Sequence, residues 1–275
     1  MEKTIEELEN RKGAKNRDEV PKQIKILLNE GKIETVNLIE SLVVNQEKLL
    51  KNVLSDLNMI DIDDYLKPVI NELNSLKKKT YPKSIIIIGQ ILLDISNKKN
   101  DSKLFEKLSK HKSDIVRSWA CFFVGHNENL SLNEKFELIK PFANDKHHSV
   151  REYAWMAMRD EISKNLKKSI AILAKWTKME TNFRRFASEA TRPRGVWTNH
   201  INKLKESPEM ALAILEPLKS DKEKYVQNSV GNWLNDASKS KGEWVKTICN
   251  RWIKESPTKE TEKIIKRGLR TISKK

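Results

Sequence analysis

Four segments of the 275-residue chain repeat one short pattern at a helix start, an apolar residue followed by a basic or polar one. They are Ile115-Val116-Arg117, Ser149-Val150-Arg151, Asn182-Phe183-Arg184 and Tyr225-Val226-Gln227. The anchors Val116, Val150, Phe183 and Val226 stand 34, 33 and 43 residues apart. Periods of this length with paired helices predict an α-solenoid of the HEAT or armadillo kind. One such repeat cannot bury its apolar face alone. Neighbours therefore stack, and the array keeps one long face for an extended partner.

Eight glycines and eight prolines are too few for an all-β chain with many tight turns. The fold class is therefore all-α. Apolar spacing predicts helices over 3–11, 18–29, 32–56, 62–79, 83–97, 101–110, 114–126, 132–142, 147–162, 165–179, 182–191, 196–205, 208–219, 222–239, 242–254 and 258–273. Ser207-Pro208 and Ser256-Pro257 mark two helix boundaries. The expected organisation is a single domain over 1–275, with N-terminal helices over 1–80 and HEAT-like repeats over 81–275. The expected shape is a right-handed α-solenoid with a concave basic groove. The longest apolar run, Ile85–Ile95, is broken by Gly89, Gln90 and Asp94. A membrane helix needs roughly 20 apolar residues, so this run reads as a buried core helix and no membrane partner is expected. Met1–Arg11 is charged and carries no apolar core of a signal peptide. A cytoplasmic monomer is expected.

The chain carries 53 Lys+Arg against 38 Asp+Glu, a formal net charge of +15. That balance favours a polyanionic partner. The alternative is a lysine-rich surface that only keeps the protein in solution. Cys121 and Cys249 have no zinc-finger spacing. His147-His148 opens a helix without the His-Glu-x-x-His companion of a metal helix. No glycine-rich phosphate loop is present. Neither a metal nor a cofactor is expected.

Stepping about 100° per residue from the four anchors sorts the helix faces. Offsets of four and seven give a core stripe: Ala120 and Phe123, Ala154 and Ala157, Ala187 and Ala190, Val230 and Trp233. Offsets of three, six and ten give a neighbouring edge that reads Trp119, Phe122, His126; Tyr153, Met156, Asp160; Phe186, Glu189; and Ser229, Asn232, Asp236. This edge is either a second packing surface or the face that does chemistry. Asp236 lies between Trp233, Leu234 and Ala237, a costly place for a carboxylate that nothing pairs with.

The stretch Asn182–Trp197 gathers four arginines, two phenylalanines and a tryptophan around Pro193 and Gly195. Guanidinium forks bind phosphates in a fixed geometry, and aromatic faces stack on bases. The basic set is Arg117, Arg151, Arg159, Arg184, Arg185, Arg192 and Arg194. Arg117, Arg151 and Arg184 share one offset. They form either a row tracking a phosphate backbone or a ladder of bonds to groups such as Asp114 and Asp145. Arg192 and Arg194 flank Pro193 and read as loop arginines that converge on a ligand.

The chain resembles the bacterial alkylpurine DNA glycosylases built from HEAT-like repeats, the AlkC/AlkD superfamily, and is closer to the AlkC branch. The resemblance rests on Val20-Pro21 and Leu28–Glu40 near the N-terminus, on Arg184–Arg194 followed by Trp197, and on Val226 with Ser229–Lys239. It implies a monofunctional glycosylase that excises N3- or N7-alkylated purines, such as 3-methyladenine, from double-stranded DNA. By the same resemblance Asp236 matches the catalytic aspartate, and Trp197 the tryptophan facing the damaged nucleotide. Trp119 and Tyr153 are further candidates for contact with the lesion. Arg184, Arg185, Arg192 and Arg194 are candidates for DNA binding. One position departs: the second acidic residue of the AlkC pattern falls at His147. Asp160 or Glu189 is the candidate that compensates. The rival reading is a HEAT-repeat scaffold that binds DNA or protein without catalysis.

Overall fold

The computed structural model of the chain describes residues 7–8, 10–59, 61–195 and 197–273. Among these residues there are α-helices and short 3-10 turns, and no strand. The helix expected over 3–11 falls largely on residues outside the described ones. No helix among the described residues is long and apolar enough to cross a membrane.

The chain divides into two compact units, Met1–Asn129 with His147–Tyr153, and Leu130–Lys146 with Ala154–Lys275. Residue 80, the expected end of the N-terminal helices, lies inside the first unit.

The first unit contains α1 (Lys22–Asn29), α2 (Leu38–Val43), α3 (Gln46–Asp56), α4 (Ile62–Ser75), α5 (Tyr81–Lys99), α6 (Ser102–Ser109) and α7 (Asp114–His126). The single helix expected over 32–56 is two, α2 and α3. Two asparagines divide it: Asn37 accepts from the Glu40 N–H and Asn45 from the Lys48 N–H, each capping its own helix. Helix α5 begins at Tyr81, two residues before its expected start, because Pro82 fits the first turn. Helices α5 and α7 meet at Gly89. A Cβ there would stand 2.5 Å from the Trp119 carbonyl oxygen, so glycine is what admits the close approach. The core around it holds Ile85, Ile88, Leu92, Val116, Trp119 and Phe122. Burial stabilises each such side chain by roughly 1.5–3 kcal/mol.

The second unit contains α8 (Leu132–Ala143), α10 (Leu166–Trp176), α11 (Thr181–Ala190), α12 (Asn202–Glu206), α13 (Leu212–Leu215), α14 (Lys224–Ser238), α15 (Gly242–Glu255) and α16 (Lys259–Leu269); α9 (His148–Lys164) begins in the first unit and ends in the second. Helix α8 opens with a capping box between Ser131 and Glu134. Trp176 packs among Phe136, Phe183 and Phe186, with ring centroids 5.7, 5.2 and 5.1 Å away. Helix α14 packs between α11 and α16. Gly231 faces the Arg267 stem and Gly268 faces Leu234. Two expected helices are shorter or broken. The one over 196–205 is only Asn202–Glu206, and the one over 208–219 is a short α-helix flanked by 3-10 turns at Pro208–Ala211 and Glu216–Leu218. Pro208 and Pro217 each open one of those turns.

Candidate active site

Helix α14 ends in Asn232–Ser238, and Asp236 sits on its last turn with 3% of its surface exposed. A carboxylate so deeply buried needs charged partners. Arg192 supplies them: its Nε donates to Oδ2 at 2.8 Å, and its Nη2 stands 2.7 Å from the same oxygen. Lys239 Nζ lies 3.3 Å from the other oxygen, Oδ1.

The pairing continues inward. Arg192 Nη1 donates to Glu189 Oε1 at 2.6 Å, and Ser229 Oγ donates to Glu189 Oε2 at 2.7 Å. Arg185 approaches Glu189 at 3.5 Å and lays its guanidinium over the Tyr225 ring at 4.8 Å. Positive and negative groups therefore alternate from Arg185 through Glu189, Arg192 and Asp236 to Lys239. Burial pushes the Glu189 carboxyl up, but the charges of Arg185 and Arg192 and the bonds from Ser229 and Arg192 outweigh it and hold it below the usual carboxylate range. Burial pulls Arg192 down, and Glu189 and Asp236 more than reverse that.

The loop after α11 is fastened from beneath. Arg159, on α9 and 1% exposed, donates from Nη1 to the Ala190 carbonyl at 2.9 Å and from Nε to the Asn199 carbonyl at 3.0 Å. Its Nη2 donates to the Arg192 carbonyl. Trp233 Nε1 donates to the Thr191 carbonyl at 2.9 Å, and the Ile201 N–H closes the loop on the Pro193 carbonyl at 3.1 Å. Burial and the neighbouring Arg192 push Arg159 down to about 10, so it keeps its charge at neutral pH. A Cβ at Gly195 would lie 2.8 Å from Arg159 Nε, which makes that position part of the same fastening. On this loop Trp197 is 71% exposed and has φ +60, a left-handed backbone that a bulky residue seldom adopts. Arg194 reaches the Asp236 carbonyl at 3.3 Å and Ser240 Oγ at 2.8 Å.

Several expected site residues thus converge in the second unit: Asp236, Arg192, Arg194, Arg185 and Glu189. Others take structural places. The Trp119 indole is fully buried and has no face to offer a base. Tyr153 is 6% exposed and packs edge-on against Tyr81 and Phe122. Both side chains belong to the core of the first unit. Arg184 spends its guanidinium on Asp221 at 2.6 Å and on the Met179 carbonyl, a rung joining one repeat to the next. Arg192 turns into the protein rather than outward, because Glu189 and Asp236 both need its charge. Asp160 is exposed and lies 3.4 Å from Asn199 Nδ2. At the departing position, His147 Nδ1 stands 3.3 Å from Asp114, whose oxygens accept from Thr35 N–H and Oγ1 at 2.9 and 2.8 Å. A carboxylate is therefore present beside His147, but it is fully buried and already bonded.

Arg159 stands in the basic set of the sequence without a role of its own, and Lys239 has none there. The burial of Arg159 comes from the loop that folds over it.

Residues 153–267 match the family model described as DNA alkylation repair enzyme. An uncharacterized protein of Bacillus subtilis, YhaZ, is 35% identical over 184 residues, 62% of this chain and 50% of that protein. The chain thus spans about half the length of this curated relative. Among solved structures, the alkylpurine DNA glycosylase AlkC of Pseudomonas fluorescens is similar at a TM-score of 0.66 and 22% identity, over 83% of this chain and 62% of that one. AlkD2 of Streptococcus mutans is similar at a TM-score of 0.52 and 22% identity, over 82% of this chain and 98% of that one. At such identities the likeness is one of fold. The likeness to the family described as DNA alkylation repair enzyme thus covers residues 153–267, less than half of the chain.

Proposed function

We propose that the chain is a monofunctional DNA glycosylase that releases N3- or N7-alkylated purines from double-stranded DNA. One observation carries this reading: Arg192 and Arg194, on the loop that bears the exposed Trp197, close on the buried Asp236 within the stretch matched by the family. The similar AlkC structure is a complex with DNA containing an abasic site analog, which supports a DNA partner here.

The chemistry asks little of the protein. A purine alkylated at N3 or N7 is cationic and departs without protonation when the C1′–N bond breaks, taking the bonding pair. Positive charge then develops on the sugar. Asp236 stabilises that charge through Oδ1, the oxygen that Lys239 approaches. Water adds to C1′ and gives up a proton. Trp197 presents an aromatic face to the cationic base, and Arg194 with Lys239 holds flanking phosphates.

The pairing of Asp236 with Arg192 and Lys239 favours a second reading, a protein that binds DNA without cutting the glycosidic bond. The two readings separate when wild type is incubated with methylated duplex DNA and released bases are resolved by chromatography. A glycosylase frees 3-methyladenine or 7-methylguanine, and Asp236→Asn loses that release while still binding the duplex. Duplex binding with no released base supports the second reading.

A further inference from the structure

A groove of about 910 Å³ is lined by residues of α14 and α16 and their flanks. Six cations line it: Lys222, Lys224, Lys263, Lys266, Arg267 and Arg270. No lining residue is acidic. Some surface lysines meet carboxylates, as Lys99 does with Asp64 and Lys219 with Glu255. Among the described residues none of these six forms an ion pair, although like charges gathered together repel. All but the half-buried Arg267 are exposed.

Two of the lining arginines reach the helix that carries Asp236. Arg270 Nη1 and Arg267 Nη1 donate to Asn232 Oδ1 at 2.9 and 3.4 Å, and Asn232 lies one helical turn before Asp236. Gly231 is what lets the Arg267 stem lie against α14; a Cβ there would stand 2.8 Å from it. The two arginines are thus held one helical turn from Asp236, and four exposed lysines share the groove with them. Six cations without ion pairs gathered in one groove suit the repeating charge of a phosphate backbone.

We infer that the groove between α14 and α16 is a phosphate track, a second contact surface that holds the sugar–phosphate backbone of duplex DNA beside the Asp236 site. The track rests on the reading that this chain binds DNA, and it does not depend on catalysis. It supplies affinity for undamaged duplex and leaves the chemical step to the Asp236 site.

The test uses the full chain with Lys224, Lys263 and Lys266 all replaced by Ala, and in a second variant all by Arg. Binding of a short, unmodified, fluorescein-labelled duplex is followed by anisotropy across a sodium chloride series. Each lost phosphate contact lowers the slope of log affinity against log salt by about 0.9, so the Ala variant should lose about 2–3 from that slope. The Arg variant should keep it. Single-turnover base release from methylated duplex at saturating protein should match wild type in both. An Ala variant that stays folded and binds with unchanged affinity and slope overturns the track. So does one whose release at saturation falls, because the lysines would then belong to the chemistry. Wild type that binds duplex but frees no base sinks the glycosylase reading and leaves the salt series decisive for the track. Wild type that binds RNA or acidic peptide but not duplex sinks both.

Discussion

The Arg192 guanidinium bridges two buried carboxylates, 2.7 Å from Asp236 and 2.6 Å from Glu189. One side chain therefore does two jobs. It makes the burial of Asp236 tolerable, and it ties the loop carrying Trp197 to the helix carrying Asp236. It also draws on the negative charge that a glycosylase would use.

Arg192→Leu should be severely destabilising. It leaves Glu189 and Asp236 facing each other without their shared cation, and breaking such a pair costs roughly 3–5 kcal/mol. Thermal unfolding followed by circular dichroism should show a Tm lower by on the order of 10 °C. The paired change Arg192→Leu with Asp236→Leu should recover part of that loss.

Asp236→Asn should reduce base release from methylated DNA by about 100-fold or more. The amide keeps the shape and can still accept from Arg192, so duplex affinity should change little. Equal rates for mutant and wild type would remove Asp236 from the chemistry.

Arg159→Ala should loosen the loop. Three carbonyls, at Ala190, Arg192 and Asn199, lose their donor together, and the expected cost is roughly 2–4 kcal/mol. Hydrogen exchange should accelerate over residues 191–201 more than in α16. If base release occurs, its KM should rise more than its kcat falls.

Trp197→Gly should separate stability from function. The position has φ +60, and a left-handed backbone costs an L-residue roughly 1–2 kcal/mol that glycine does not incur. With the indole 71% exposed, little packing is lost. The variant should melt slightly above wild type, while affinity for lesion-containing duplex falls. A lower Tm with unchanged affinity would make Trp197 a structural residue.

Glu189 sets an acid limit. Its folded carboxyl titrates below the ordinary value of 4.5, so the unfolded chain takes up its proton first as pH falls. Its contribution is complete above 4.5 and is lost as pH drops below that, through the folded value. Tm measured between neutral pH and the acid range should fall below pH 4.5 in wild type. In Glu189→Gln, that part of the slope should be missing.

Much of the site could be read before folding was considered. Asp236 stood out because a carboxylate among Trp233, Leu234 and Ala237 demands a partner, and the structure supplies Arg192. The pair Arg192 and Arg194 was recognisable as convergent, but its direction was not. The same residue type at a loop position can reach solvent or turn inward, and the choice depends on carboxylates 3 and 44 residues away. The aromatic edge divided in the same way. Trp119 has the spacing of a functional edge, yet α5 covers it at Gly89.

Local chemistry in the chain determined the helices, most of their ends and the apolar stripes, because 3.6-residue spacing, asparagine caps and prolines act over a few neighbours. The positive balance and the Arg-Pro-Arg loop were likewise written in order along the sequence. Only the tertiary structure decided which charges are spent and which are free. Burial and pairing depend on what another segment lays across a side chain. That is why Arg159 and Arg192 became buried fastenings while the lysines along α14 and α16 kept their charge unpaired.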